Sequence, residues 1–73
     1  MKTIKEIKYE VWQYTIQIHN NEEHSFWEHI LTCDTQYQAI REAQEIWGYG
    51  IPSRVIKTVS QREIIDEYGE IEQ

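Results

Sequence analysis

The chain has 73 residues, which is enough for one small hydrophobic core and predicts a single domain over residues 1–73. Thirteen acidic residues against seven Lys and Arg give a formal net charge of −6, which argues against a general nucleic-acid binder or an anionic membrane surface as partner. The single cysteine excludes an internal disulfide. Together with N-terminal lysines that no apolar run follows, it favours a cytoplasmic protein.

Residues 9–19 alternate between apolar and polar side chains, which predicts a half-buried strand. The polar residues 20–23 then predict a turn, and residues 25–33 a second strand paired with the first as a hairpin. A loop of two or four residues, unlike one of three, gives a single coherent apolar face. The members of that face are Trp12, Tyr14, Ile16, Trp27, Leu31 and Cys33.

The clearest element is an amphipathic helix that follows the hairpin. Thr35 and Gln38 have the spacing of a capping box at its start, and Gly48 or Gly50 is expected to end it. Small alanines in its apolar stripe would let the helix approach the sheet closely. The stripe consists of Ala39, Ile40, Ala43, Ile46 and Trp47.

The last part of the chain has two interpretations. Residues 53–59 are rich in β-branched side chains and predict a third strand. Residues 60–63 match a second capping box and favour a short helix, whereas a fourth strand over residues 62–66 is the alternative. The predicted class is α+β, an antiparallel sheet with one amphipathic helix on one face, in the order ββαβ plus that helix or strand.

A candidate contact surface follows from the predicted hairpin. Trp12, Trp27 and Trp47 are expected to meet in the core, beneath the helix. The opposite sheet face would then be open, unless the C-terminal segment covers it. An apolar patch among polar residues is typical of a protein-contact surface. Its candidate residues are Val11, Phe26, Glu28 and Ile30, with Tyr49 as an adjacent anchor.

The C-terminal segment is the second candidate contact region. Glu63, Asp66, Glu67, Glu70 and Glu72 crowd the last eleven residues, which contain no Lys or Arg. Such a segment is either a solvated face or an acidic strip that docks on a basic protein surface.

The residues that could carry chemistry favour structural interpretations. His19, His24, His29 and Cys33 do not have a known zinc spacing, so we expect no metal and no cofactor. Cys33 is expected to be buried, and Asp34 beside it would raise its thiol pKa. Because the sequence also has no phosphate-binding loop and no catalytic motif, we expect no enzymatic activity.

The run from Ile30 to Ala43, followed by a glycine-containing loop and residues 54–59, resembles the strand, capped helix and strand of small phage-encoded proteins, including some anti-CRISPR inhibitors. The resemblance covers about half of the chain. It implies a mobile-element origin, a host-cytoplasmic location and an inhibitory binding role, and it transfers no functional residue.

Three function hypotheses follow. The first is a small inhibitor or regulator that docks on a basic host protein, such as a nucleic-acid-binding defence enzyme, without contacting nucleic acid or membrane itself. The second is a self-associating structural or adaptor protein, a homodimer through an open sheet face or edge. The third is an RNA-binding module that stacks bases on Phe26, which the net acidity disfavours.

Overall fold

The computed structural model describes residues 7–59 and 62–69. Within these residues, four antiparallel strands form one sheet, in the spatial order β2-β1-β3-β4, and one helix packs on it. The elements in chain order are β1 Lys8–His19, β2 Glu22–Cys33, α1 Gln36–Gly48, β3 Ser53–Thr58 and β4 Arg62–Tyr68. The predicted α+β class and the ββαβ order are confirmed, and the final element is the fourth strand.

The turn of the first hairpin has two residues, as an even loop requires. Asn20 and Asn21 have positive φ angles of 50° and 64°, and His19 pairs with Glu22 directly across them. Two consecutive left-handed residues are the geometry of a type I′ turn, which asparagine adopts more readily than most residues.

A β-bulge divides the hairpin face that the sequence predicts. Val11 pairs with Leu31, but the next residue of β1, Trp12, pairs with His29, so Ile30 is an extra residue in β2. The extra residue reverses the alternation of β2 at this point. Leu31 therefore lies on the same face as Val11. Before Ile30, the even-numbered residues of β2, such as Phe26 and Glu28, lie on that face instead.

The core consists of small side chains on the helix side of the sheet. Its fully or nearly fully buried apolar residues are Val11, Cys33, Ala39, Ala43 and Val55. Half-buried side chains pack around them: Tyr9, Leu31, Ile40, Ile46, Ile65 and Tyr68. The predicted cluster of three tryptophans is wrong, because the side chains of Trp12 and Trp27 point away from this core and Trp47 is 44% exposed at its margin.

The helix begins as predicted and is tied to the sheet by a buried hydrogen bond. The Thr35 hydroxyl accepts a bond from the Gln38 backbone N–H at 3.2 Å. Near the other end, the Ser53 hydroxyl of β3 donates to the Ala43 carbonyl at 2.7 Å, and Ser53 is fully buried. This short bond fixes α1 against β3 at the point where its small residues allow a close approach.

The first hairpin projects beyond the rest of the sheet. Strand β3 pairs with β1 only from Lys8 to Gln13, although β1 continues to His19. We call residues 14–27 the arm. The arm contributes to an elongated shape with a longest dimension of 56 Å.

Candidate functional site

The sheet face opposite the helix carries the largest aromatic side chains of the sheet. Successive residues of a strand point to opposite faces, so the burial of Val11 under α1 directs Trp12 and Tyr14 to the other side. Their partners in β2 are His29 and Trp27, respectively. Arg54 of β3 pairs with Trp12 and shares this side. We call these five residues the aromatic face.

The rings of the aromatic face contact one another edge to face across β1 and β2. The centroids of Tyr14 and Trp27 are 5.4 Å apart with an angle of 69° between the ring planes. The centroids of Trp12 and His29 are 5.3 Å apart at 72°. Edge-to-face pairs at this separation stabilise a sheet beyond the area they bury. The rings are therefore held in fixed positions by contacts within the sheet.

Two arginines lie over these rings. The guanidinium carbon of Arg54 is 3.6 Å from the centroid of Trp27, and that of Arg62 is 5.4 Å from the centroid of Trp12. Each arginine is also paired with a carboxylate, Arg54 with Glu67 at 3.0 Å and Arg62 with Glu10 at 3.1 Å. The positive charge of both arginines is thus balanced on the face itself.

The Glu10 carboxylate, on the same side of the sheet as the aromatic face, makes three side-chain contacts. It accepts hydrogen bonds from the Trp12 indole N–H at 2.9 Å and from the Thr58 hydroxyl at 3.1 Å, besides its pair with Arg62. Burial alone would raise the pKa of Glu10, but the two hydrogen bonds and the charge of Arg62 outweigh it, so the pKa lies below the usual 4.5. Glu10 is therefore ionised near neutral pH and fixes the orientation of the Trp12 ring.

Within the part of the chain that the structure describes, no element packs on the aromatic face. The helix lies on the other side, and the side chains at the margins of this face are exposed, with Ile16 at 56% and Ile64 at 48%. The rings of Trp12, Tyr14 and Trp27 are half-buried, whereas His29 is exposed. An apolar surface of this kind is suited to contact with another macromolecule.

The charge near the aromatic face is negative along the arm. No Lys or Arg occurs between Lys8 and Arg41 in the sequence. The arm carries the exposed Glu22 and Glu23, and Glu28 lies at its base. These carboxylates therefore give the arm a negative field with no positive side chain of its own.

The structure corrects the predicted contact surface at Val11, which is fully buried in the core under α1 and cannot contact a partner. Phe26 and Glu28 are exposed but lie on the helix side of the sheet, opposite Thr15 and Gln13. Ile30 is the bulged residue and is exposed, and Tyr49 follows the helix with 85% exposure.

The predicted acidic strip does not join that surface. Its described members lie on β4, which is separated from β2 by two strands. Glu63 is exposed opposite Lys57, Asp66 accepts a hydrogen bond from the Tyr68 hydroxyl at 2.7 Å, and Glu67 holds Arg54. Glu70 and Glu72 lie outside the described residues.

Cys33 has the environment of a structural thiol. Burial raises its thiol pKa above the usual 9.0, and the carboxylates of Glu42 and Asp34 raise it further. The thiol therefore stays protonated near neutral pH. In residues 7–59 and 62–69, no three His, Cys, Asp or Glu side chains are grouped to hold a metal ion, and no helix is long and apolar enough to cross a membrane.

No protein-family model matches the chain, and no curated protein or solved structure matches it either. What the chain does must therefore be inferred from the aromatic face and the arm. Sequence reasoning placed Trp12, Tyr14 and Trp27 in the core. One signal could have placed them outside, because Ala39 and Ala43 predict a helix too close to the sheet to leave room for indole rings between them.

Proposed function

We propose that this chain is a non-enzymatic binding protein that docks on a cationic protein surface, such as the nucleic-acid groove of a defence enzyme, and inhibits its partner. The observation that carries the proposal is the aromatic face, which is built on three strands and lies opposite the helix. Trp, Tyr and Arg are the side chains most enriched among residues that dominate binding energy in protein interfaces. Their fixed positions reduce the entropy that binding would otherwise cost.

The charge distribution supports a cationic partner. Arg54 of the aromatic face and Arg62 beside it are each paired with a carboxylate, whereas Glu22, Glu23 and Glu28 add negative charge along the arm, Glu28 on the helix side of the sheet. The chain as a whole has a net charge of −6. A negative field of this kind accelerates encounter with a positive surface and disfavours like-charged partners.

A nucleic acid is a poorer fit to the same face. Stacking platforms for single strands combine aromatic rings with cations that neutralise phosphates. Here Arg54 and Arg62 are bound to Glu67 and Glu10, respectively, so the carboxylates would have to be displaced or would repel the phosphates. The inhibitory part of the proposal is supported by the resemblance to small phage-encoded inhibitors.

The test is quantitative affinity purification from a bacterial lysate with the tagged full chain as bait. Trp27→Ala removes a central ring, and Glu22→Gln combined with Glu23→Gln removes two negative charges near the tip of the arm. Tyr37→Ala, at a 72% exposed helix position, and Glu42→Gln combined with Glu45→Gln are the matched controls. Both test variants should reduce recovery of a basic protein by about tenfold or more, since interface anchors of this type contribute on the order of 2 kcal/mol. The controls should retain it.

The recovered protein should then lose its own activity when the wild-type chain is added, and keep it when Trp27→Ala is added. Circular dichroism and thermal unfolding of each variant establish that it is folded. Recovery that is equal for test and control variants, or recovery that disappears after nuclease treatment, would contradict the proposal.

A further inference from the structure

The arm leaves one backbone edge of β1 without a neighbouring strand. Strand β3 begins at Ser53, opposite Gln13, and β1 continues for six further residues to His19. On its other side β1 remains paired with β2 as far as the turn. From residue 15 to His19, therefore, the side of β1 that faces β3 has no strand partner among residues 7–59 and 62–69.

The backbone groups that face this free edge belong to Ile16 and Ile18. The Tyr14 N–H donates to the Pro52 carbonyl at 2.9 Å, which shows that Tyr14 points its polar groups to the β3 side. Every second residue of a strand points the same way, so Ile16 and Ile18 do too. The turn geometry gives the same result. His19 and Glu22 form the closing pair of a two-residue hairpin, so the backbone N–H and C=O groups of His19 and Gln17 face β2.

A groove adjoins this edge where β3 stops. Its volume is ≈ 420 Å³, and it is lined by Tyr14 and Ile16 of β1 and by Gly50, Ile51 and Pro52 of the loop before β3. The lining is mostly apolar. A segment that continued the line of β3 along the arm would place one apolar side chain in this groove, which is the usual source of specificity when a strand adds to a sheet edge.

The free edge also differs from the other sheet edges in charge. The outer edge of β2 carries Glu22, Glu23 and Glu28, and that of β4 carries Arg62, Glu63 and Glu67. Residues 15–19 have no acidic or basic side chain except the histidine at position 19. Charged side chains on edges discourage strand pairing, so this stretch is the least protected edge that the structure describes.

We propose that the free edge at Ile16 and Ile18, with its groove, binds an extended segment of a partner protein that carries Lys or Arg, by adding it to the sheet as a strand. The positive charge of the segment rests on the proposed function. A second copy of this chain is a poorer occupant, because its arm carries the same negative charge and has no Lys or Arg.

The probe is the synthetic peptide acetyl-Lys-Val-Lys-Val-Lys-Val-amide, titrated into the isotope-labelled full chain and followed by NMR. We expect the amide signals of Ile16 and Ile18 to shift more than those of Gln17 and His19, whose N–H groups face β2. Two further peptides carry N-methyl groups on all valines or on all lysines. A strand added to one edge uses the N–H groups of alternate residues, so one isomer should bind about tenfold more weakly than the other.

Two proline variants give a matched pair in the protein. Ile18→Pro removes an N–H from the free edge, and Ser25→Pro removes one from the outer edge of β2 on the same arm. The first should abolish peptide binding and the second should preserve it. Equal binding of the two N-methyl isomers would overturn the edge site and would leave the proposed function of the aromatic face unaffected. This test does not depend on the folding of Ile18→Pro.

The charge of the segment is tested separately. A peptide with Glu in place of Lys should bind about tenfold more weakly or not at all. Equal binding of the two would overturn the selection of a cationic segment, the part of the inference that depends on the proposed function, while leaving strand addition intact. Light scattering that finds a dimer, converted to a monomer by Ile18→Pro, would identify a second copy as the occupant and overturn the proposal.

Discussion

The guanidinium of Arg54 lies 3.6 Å from the centre of the Trp27 ring, although β1 lies between the strands that carry these two residues. The same guanidinium holds Glu67 of β4 at 3.0 Å. Arg54 therefore connects β2, β3 and β4 on the face that the helix does not cover. A half-buried arginine in such a position stabilises the sheet and fixes the orientation of the indole ring.

We expect Arg54→Ala to lower the free energy of unfolding by about 1–3 kcal/mol, because it removes a partly desolvated cation–π contact and leaves Glu67 without its partner. Urea unfolding followed by circular dichroism measures the effect. Arg41→Ala is the control, since Arg41 lies over the exposed Tyr37 at 5.9 Å, and it should change stability by no more than about 0.5 kcal/mol. An equal decrease in the free energy of unfolding of the two variants would show that the Arg54 contacts contribute no more to stability than those of Arg41.

Glu10 should make stability depend on pH in the acid range. Its pKa is lowered in the folded chain, so its contribution is fully present above the ordinary carboxyl value of 4.5 and is lost as the pH falls through the folded pKa. Near about pH 7, Glu10→Gln should cost about 1–2 kcal/mol, because the uncharged amide holds the Arg62 guanidinium less well. The difference from wild type should shrink below about pH 4. Glu23→Gln on the exposed arm is the control. A stability difference for Glu10→Gln that stays constant between about pH 7 and about pH 4 would contradict the assignment.

The local signals in the sequence predicted the elements that depend on neighbours in the chain. Alternation predicted β1, the capping residue Thr35 predicted the start of α1, and the polar run at residues 20–23 predicted the hairpin turn. Each of these depends on the spacing of adjacent residues, which a single sequence displays directly.

The two errors concern contacts between distant segments. The helical spacing of Ile64, Ile65 and Tyr68 favoured a helix, but these residues lie in β4, where pairing with β3 overrides local preference. A bulge at Ile65 lets that side chain reach the core while Ile64 stays exposed on the other side. The bulge at Ile30 likewise reversed the faces of β2 for the residues before it, so Trp27 lies on the open face while Leu31 and Cys33 lie on the helix side. Nothing in the local sequence marks a bulge at that residue.

Gly69 is expected to be the least replaceable glycine that the structure describes. Its φ of +78° is unfavourable for any side chain, and a Cβ there would lie 2.8 Å from Cζ3 of Trp47 and 3.0 Å from Cβ of Pro52. Gly69→Ala should therefore destabilise the fold by about 1–3 kcal/mol. At Gly48 a Cβ would meet nothing within 4 Å, so Gly48→Ala should be neutral or stabilise by up to about 1 kcal/mol. Thermal unfolding of both variants compares them, and a Gly69→Ala variant as stable as wild type would show that Trp47 moves aside freely.

The turn of the arm gives a prediction of opposite sign. Asn20 and Asn21 both have positive φ angles, the conformation that a type I′ turn requires at its two central residues. Asn21→Gly should therefore raise the free energy of unfolding by a few tenths to about 1 kcal/mol, because glycine adopts this conformation without steric cost. Replacing both asparagines with alanine should lower it by about 1–2 kcal/mol. Within residues 7–59 and 62–69, the arm is held in register only by the pairing of its own two strands. The alanine variant should therefore also speed hydrogen exchange at Gln17 and His19, whose N–H groups face β2, more than in β3. Unchanged exchange in the arm would mean that the register is held by the Tyr14 and Trp27 pair and not by the turn.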